Sequence, residues 1–154
     1  MFNYKPPLTY LYFILRKYNM AFDIKLNNLS EKAETGYEFE VKLPDGTSTD
    51  FFITVRGDLS PVVNKYTKQL ATKQMMKEIQ DKKRNKGEQP LDFDELETQL
   101  TEAASIRVIT WRGLEEGEGN VTEPTPENIK RILTQHTWIR EQILEEGGNK
   151  ANFI

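Results

Sequence analysis

The side chains best equipped for chemistry are few. The chain has one histidine, His136, no cysteine, and a glycine-rich acidic stretch holding Glu115, Glu116, Glu118, Asn120 and Glu123. A single imidazole and no thiolate exclude disulfides, cysteine-ligated zinc and any site that needs two imidazoles. A calcium loop of the EF-hand kind needs oxygen ligands at alternating positions, a central glycine and a closing glutamate in fixed register; this stretch fails that register and reads as a solvated acidic loop. Paired carboxylates such as Glu115 and Glu116 do acid–base work only where burial raises one pKa. Glycines flanked by glutamates repel phosphate, and the GxxxxGK[ST] frame is missing. No serine stands in a nucleophile elbow, and His136, between Gln135 and Thr137, reads as a surface or capping group. The expectation is a protein without catalytic, metal or cofactor residues.

The charges are segregated. Residues 65–86 carry eight Lys/Arg against Glu78 and Asp81, whereas residues 91–128 carry ten Asp/Glu against Arg107 and Arg112. Two solvated helical faces of opposite sign that attract each other account for this. A second reading gives Lys73, Lys77, Lys82, Lys83 and Arg84 an electrostatic contact with an acidic partner or a nucleic acid. Nucleic acid is the weaker choice, because phosphate binding favours an unopposed basic surface and the whole chain has a net charge of −3.

The elements that must position these residues follow from periodicity. In residues 1–19 an apolar run from Leu8 to Leu15 is shorter than the roughly 20 residues that span a bilayer. It precedes Arg16 and Lys17 rather than a cleavage site. Met20-Ala21-Phe22-Asp23 reads as a natural start, so residues 1–19 are expected to be an upstream extension or a disordered arm. Residues 20–58 form a β-hairpin region: Tyr37, Phe39, Val41 and Leu43 alternate with charged residues, Pro44-Asp45-Gly46 turns the chain, and Phe51, Ile53 and Val55 alternate again. Residues 23–26 are a candidate third strand. Residues 59–154 form a helical region packed with the hairpin as one domain. Ser60-Pro61 opens its first helix, and residues 82–90 form a charged linker. A second helix from Asp92 carries Phe93, Leu96, Leu100, Ala103, Ala104, Val108 and Trp111 on one stripe and stops at Gly113. Thr125-Pro126 opens a third, with Ile129, Ile132 and Leu133 inward; Thr137 caps a fourth, which ends at Gly147-Gly148. The fold class is α+β, an N-terminal β-hairpin followed by a mostly α-helical domain of about four helices.

Both tryptophans stand at predicted helix ends, where large aromatics close small cores. Trp111, in register with its stripe, belongs to the core. Trp138 is more open, because Asn152-Phe153-Ile154 is a detachable apolar end that either folds back onto Trp138 or docks into another subunit. Trp138, Ile139, Ile143, Phe153 and Ile154 are therefore the expected partner-binding residues, and deletion of residues 152–154 is expected to leave folding nearly unchanged.

From Ala103 to Ile154 the chain resembles the tail assembly chaperones of long-tailed, siphovirus-type bacteriophages and prophages. The resemblance rests on the order Ile109-Thr110-Trp111-Arg112-Gly113, a Thr-Pro-Glu-Asn helix start before Ile132-Leu133, Trp138-Ile139-Arg140-Glu141-Gln142-Ile143, and an Asn-Phe-aliphatic end. It implies a non-catalytic assembly factor of the host cytoplasm. Such a factor binds the tape measure protein, keeps it soluble until tail tube subunits polymerise around it, and is absent from the mature virion. The major tail tube protein and further copies of the chain itself are additional implied partners, and many such genes yield a longer frameshifted product. Membrane contact is not expected. Two other readings are a structural minor tail or adaptor protein retained in the virion, and a nucleic-acid-binding regulator using residues 65–86.

Overall fold

Alternation of apolar and charged side chains produces the sheet, and a third strand completes it. The computed structural model describes residues 21–85, 87 and 90–154; the expectation for residues 1–19 and part of the linker (86, 88 and 89) lie outside them. Strands β1 (Tyr37–Lys42) and β2 (Ser48–Val55) pair antiparallel, Tyr37 opposite Val55 and Phe39 opposite Ile53. The turn is closed by Gly46 N–H donating to the Leu43 carbonyl at 2.7 Å and Thr47 N–H donating to the Asp45 carboxylate at 2.9 Å.

Strand β3 (Val108–Arg112) lies beside β2, so the order is β1-β2-β3 and β2 is central. This corrects the predicted helix, which ends at Arg107 instead of running through Trp111. Leu100, Ala104, Val108 and Trp111 are spaced at helical intervals, but a bulge at the end of the β2–β3 pairing achieves the same spacing in a strand. Thr54 pairs with Thr110, whereas Val55 pairs with Val108. One extra residue on β3 lets Val108 and Trp111 both face inward despite their odd spacing. Trp111 is a core residue, as expected, but it arrives there on a strand. Its ring lies edge-on to Phe51 at 5.8 Å and its indole N–H donates to the Thr122 carbonyl at 2.8 Å. Just beyond, Gly113 has φ +85°, and a Cβ there would sit 2.4 Å from the Asp50 carbonyl oxygen, so only glycine fits.

Residues 23–26 are a turn, not a strand. The Asp23 carboxylate accepts from the Lys25 and Leu26 amides at 3.0 and 3.3 Å, a local bond that competes with sheet pairing. A short helix α1 (Leu29–Thr35), capped by Asn28, follows it. The remaining helices are α2 (Pro61–Lys83), α3 (Phe93–Arg107), α4 (Pro126–Gln135) and α5 (Thr137–Gly148), with a 3-10 turn at Lys150–Phe153. Ser60 and Thr125 cap α2 and α4 with their side chains, each followed by proline in the first turn. Thr137 begins α5 but does not cap it; His136 holds the cap position and its side chain makes no capping bond.

The core lies between the inner sheet face and the helices. Phe39, Val41, Phe51, Ile53, Val55, Val108 and Trp111 meet Ala104 of α3, Ile129, Ile132 and Leu133 of α4, and Ile139 and Ile143 of α5. A polar clasp closes one end. Arg56 donates to Glu34 at 3.0 Å and to the Ile106 carbonyl at 3.1 Å, Ser60 donates to Glu34, and Arg107 pairs with Asp58 at 2.9 Å. Gly147 is buried in the clasp, where a Cβ would meet Arg107 and the Arg56 carbonyl at 3.0 Å.

The C-terminus folds back, but onto the sheet end and not onto Trp138. Phe153 stacks edge-on against Tyr37 at 6.2 Å, and its ring occupies the space a Cβ on Gly57 would need. Asn152 anchors the turn by donating to the Glu146 carbonyl and carboxylate at 3.0 and 2.7 Å. Phe153 is buried in the core cluster, so removal of residues 152–154 should destabilise the fold, contrary to the expectation from sequence. Phe153→Ala should cost about 3 kcal/mol, whereas Ile154→Ala, at an exposed position, should change little. Urea melts of both variants check this; a Phe153→Ala midpoint equal to the parent's would contradict the packing.

Candidate partner-binding surface

The expected C-terminal anchors part company in the fold. Ile139, Ile143 and Phe153 are only 3%, 0% and 6% exposed, so they hold the core together and present nothing to a partner. Trp138 packs partly against that core, with the His136 ring edge-on at 6.5 Å. Its turn is tied to the sheet by Gln142, whose amide donates to the Lys42 carbonyl at 2.8 Å and accepts from the Lys42 N–H at 2.9 Å. Ile154 is exposed. Trp138 and Ile154 thus remain accessible, but they do not form a continuous apolar surface with the other three.

A larger surface lies on α2 and α3. The two helices run antiparallel: the Tyr66 hydroxyl reaches Gln99 and Glu102 at 3.5 and 3.4 Å, and Lys77 pairs with Glu95 at 3.4 Å. Of the 23 residues of α2, only Val63 is buried. Beyond Leu70 the helix leaves the body, and Met75, Met76 and Ile79 face solvent. The start of α3 does the same with Phe93 and Leu96, as does Leu91 just ahead of its cap; Phe93 is 72% exposed. Phe93 lies on the stripe that continues through Leu100 to Ala104, but no core element reaches that far along α3. Between the two helices runs a cleft of about 740 Å³ walled by Gln74, Lys77, Leu91, Glu95, Leu96 and Gln99 among others. A helix pair with this much unburied apolar surface and so little core of its own marks an interaction site.

The basic residues singled out from sequence border this surface. Lys73, Lys77, Lys82, Lys83 and Arg84 are all exposed. Lys77 pairs with Glu95; the other four have no ion pair among the described residues. The expected attraction between the helices of opposite sign is thus carried by one solvated pair, which is worth little.

The acidic loop is tied to α4 and braced by its own Thr122. Arg131 grips Glu116 with both terminal guanidinium nitrogens, Nη1 and Nη2, the latter at 2.9 Å, and the Thr122 hydroxyl donates to the same carboxylate at 3.1 Å. These bonds, that of Arg131 first, hold the Glu116 carboxyl below its ordinary pKa. Among the described residues no three metal-capable side chains cluster, and no helix is long and apolar enough to cross a membrane.

Arg140 is the residue that sequence reasoning missed. It is buried between α5 and α3, where it donates to Glu97 at 2.7 Å and to the Thr101 hydroxyl at 3.3 Å; its Nε has no partner. The available signal was its position on the inward stripe with Ile139, Ile143 and Gly147. Arg140 fixes the middle of α3 to the body and so sets where the exposed start of that helix stands.

Fold and surface together describe an α+β body carrying a two-helix arm. The chain belongs to the YdaY prophage protein family, whose model matches residues 63–154. That match opens in the first turn of α2 and takes in the arm, β3, α4, α5 and the C-terminal turn. The phage origin implied by the sequence resemblance holds at the level of this family. Comparisons with curated proteins and with solved structures give no match.

The ion pairs carry a pH dependence. The Arg140 hydrogen bond holds the Glu97 carboxyl below the usual carboxylate range, and Ser60, then Arg56, do the same for Glu34. Lowered folded-state pKa values add stability that is complete well above the ordinary value of 4.5 and lost as pH falls through the folded values. Glu97→Gln should therefore be less stable than the parent at pH 7, and the difference should shrink once both are acidified below about pH 3. Urea melts at the two pH values check it; a difference that stays constant would remove Glu97 from the acid-sensitive set.

Proposed function

We propose that this prophage-family protein is a tail assembly chaperone that binds the tape measure protein and keeps it soluble while the tail tube assembles, acting without catalysis in the host cytoplasm. The observation that carries this reading is the arm: Met75, Met76, Ile79, Phe93 and Leu96, with Leu91 just before α3, stand exposed on the stretches of the two helices that the core does not use. A tape measure protein presents long apolar helical faces, and such faces dock onto helical grooves through a few large anchors. Lysines beside the patch add attraction to acidic flanks and leave the contact reversible by salt. Many copies along one extended target give stable capture from individually weak contacts.

Co-expression with a tape measure protein from the same prophage should keep that partner in the soluble fraction. The Met76→Asp, Phe93→Asp double variant, altered only at exposed positions, should fold normally and lose most of this rescue. Failure of the unaltered chain to rescue would overturn the chaperone reading; full rescue by the double variant would overturn the arm as its site.

A further inference from the structure

We infer that the α2–α3 arm is a self-association surface, and that its occupant in the isolated protein is the arm of a second copy, with α2 of each protomer lying on α3 of its partner. Charge distribution selects this occupant. The exposed part of α2 is net basic, with Lys73, Lys77, Lys82 and Lys83 against Glu78 and Asp81, beside Met75, Met76 and Ile79. On α3 there is no basic residue from Asp92 to Ile106, while Asp92, Asp94, Glu95 and Glu97 surround Phe93 and Leu96. A foreign helix of one sign would suit one of these helices and be repelled by the other. A second copy turned about a two-fold axis satisfies both at once, because the basic-on-acidic contact is made twice in an isologous interface. The apolar side chains then meet at the centre and the charges form the rim, as in an antiparallel four-helix arrangement.

Size sets the strength. At 1.5 Å per residue the exposed part of α2 is about 20 Å long, and two helices side by side are about 20 Å wide. Such a patch falls short of the roughly 800 Å² per partner of a standard interface. The dimer is therefore weak and concentration-dependent, and another apolar helix can displace it. This inference does not require the chaperone reading, since it concerns the purified chain alone.

Sedimentation equilibrium on the full chain tests it. Monomer and dimer should exchange with a Kd on the order of 100 μM at low salt, and the Kd should rise as salt is added. The Met76→Asp, Phe93→Asp variant should raise it at least about tenfold with unchanged circular dichroism and melting temperature. Arrangement is tested separately, because the chain has no cysteine to interfere. When Met76→Cys and Phe93→Cys chains are mixed under oxidising conditions, disulfides between the two variants should exceed those within either. A monomer at every concentration up to about 1 mM, a dimer indifferent to the double variant, or a predominance of Met76→Cys homodimers would each overturn the proposal.

Discussion

The pairing of β3 with β2 is the constraint on which the other elements depend. A two-stranded hairpin is marginal in water, and here its second strand is covered on its free edge by residues more than fifty positions later in the chain. That pairing brings Trp111 onto Phe51 and carries the chain from α3 directly into the sheet, since α3 ends at Arg107 and β3 begins at Val108. The Arg56 amide donates to the Arg107 carbonyl at 2.7 Å at this junction, and the clasp of Arg56, Glu34, Ser60, Arg107 and Asp58 is built around it. With its C-terminal end fixed by the strand and its middle held by Arg140, α3 has one direction open to it, and its first turns project beyond the body. The arm is a consequence of the sheet.

This arrangement separates two kinds of apolar residue. Those of β1–β3, α4, α5 and the C-terminal turn are consumed in one core, while those at the far ends of α2 and α3 are left in solvent. The family match spans the arm and the part of the core from β3 onward, but not the hairpin. In the proposed chaperone role the body is a rigid mount and the arm is the part that meets other chains, either another copy or an extended apolar target. In the proposed self-association, the opposite charges on the two helices bias the arm toward its own kind until a longer apolar surface competes.

Local signals were legible where the physics is local. The alternation in β1 and β2, the Ser60-Pro61 and Thr125-Pro126 helix starts and the inward stripe of α4 all depend on neighbours in the chain. Strand β3 reads as helix because its bulge gives Val108 and Trp111 a helical spacing, and only the partner strand reveals the difference. Its β-branched content, Val108, Ile109 and Thr110, was the available clue. Phe153 was misplaced for a similar reason: its seat depends on the missing side chain at Gly57 and on Tyr37, both distant in sequence. The C-terminal block is conspicuous in the sequence because its residues are large. Yet burial, not size, decides what a partner can touch, and burial is set by tertiary contacts.

Hydrogen exchange, measured on the free chain and on its complex with the co-expressed tape measure protein, tests the division between core and arm most directly. Amides of residues 137–153 should be well protected in the free chain and unchanged on binding, while residues 70–83 and 93–99 should exchange faster when free and gain protection in the complex. Fast exchange of residues 137–153 in the free chain, with protection gained there and not on the arm, would contradict the account and return the partner site to the C-terminal anchors.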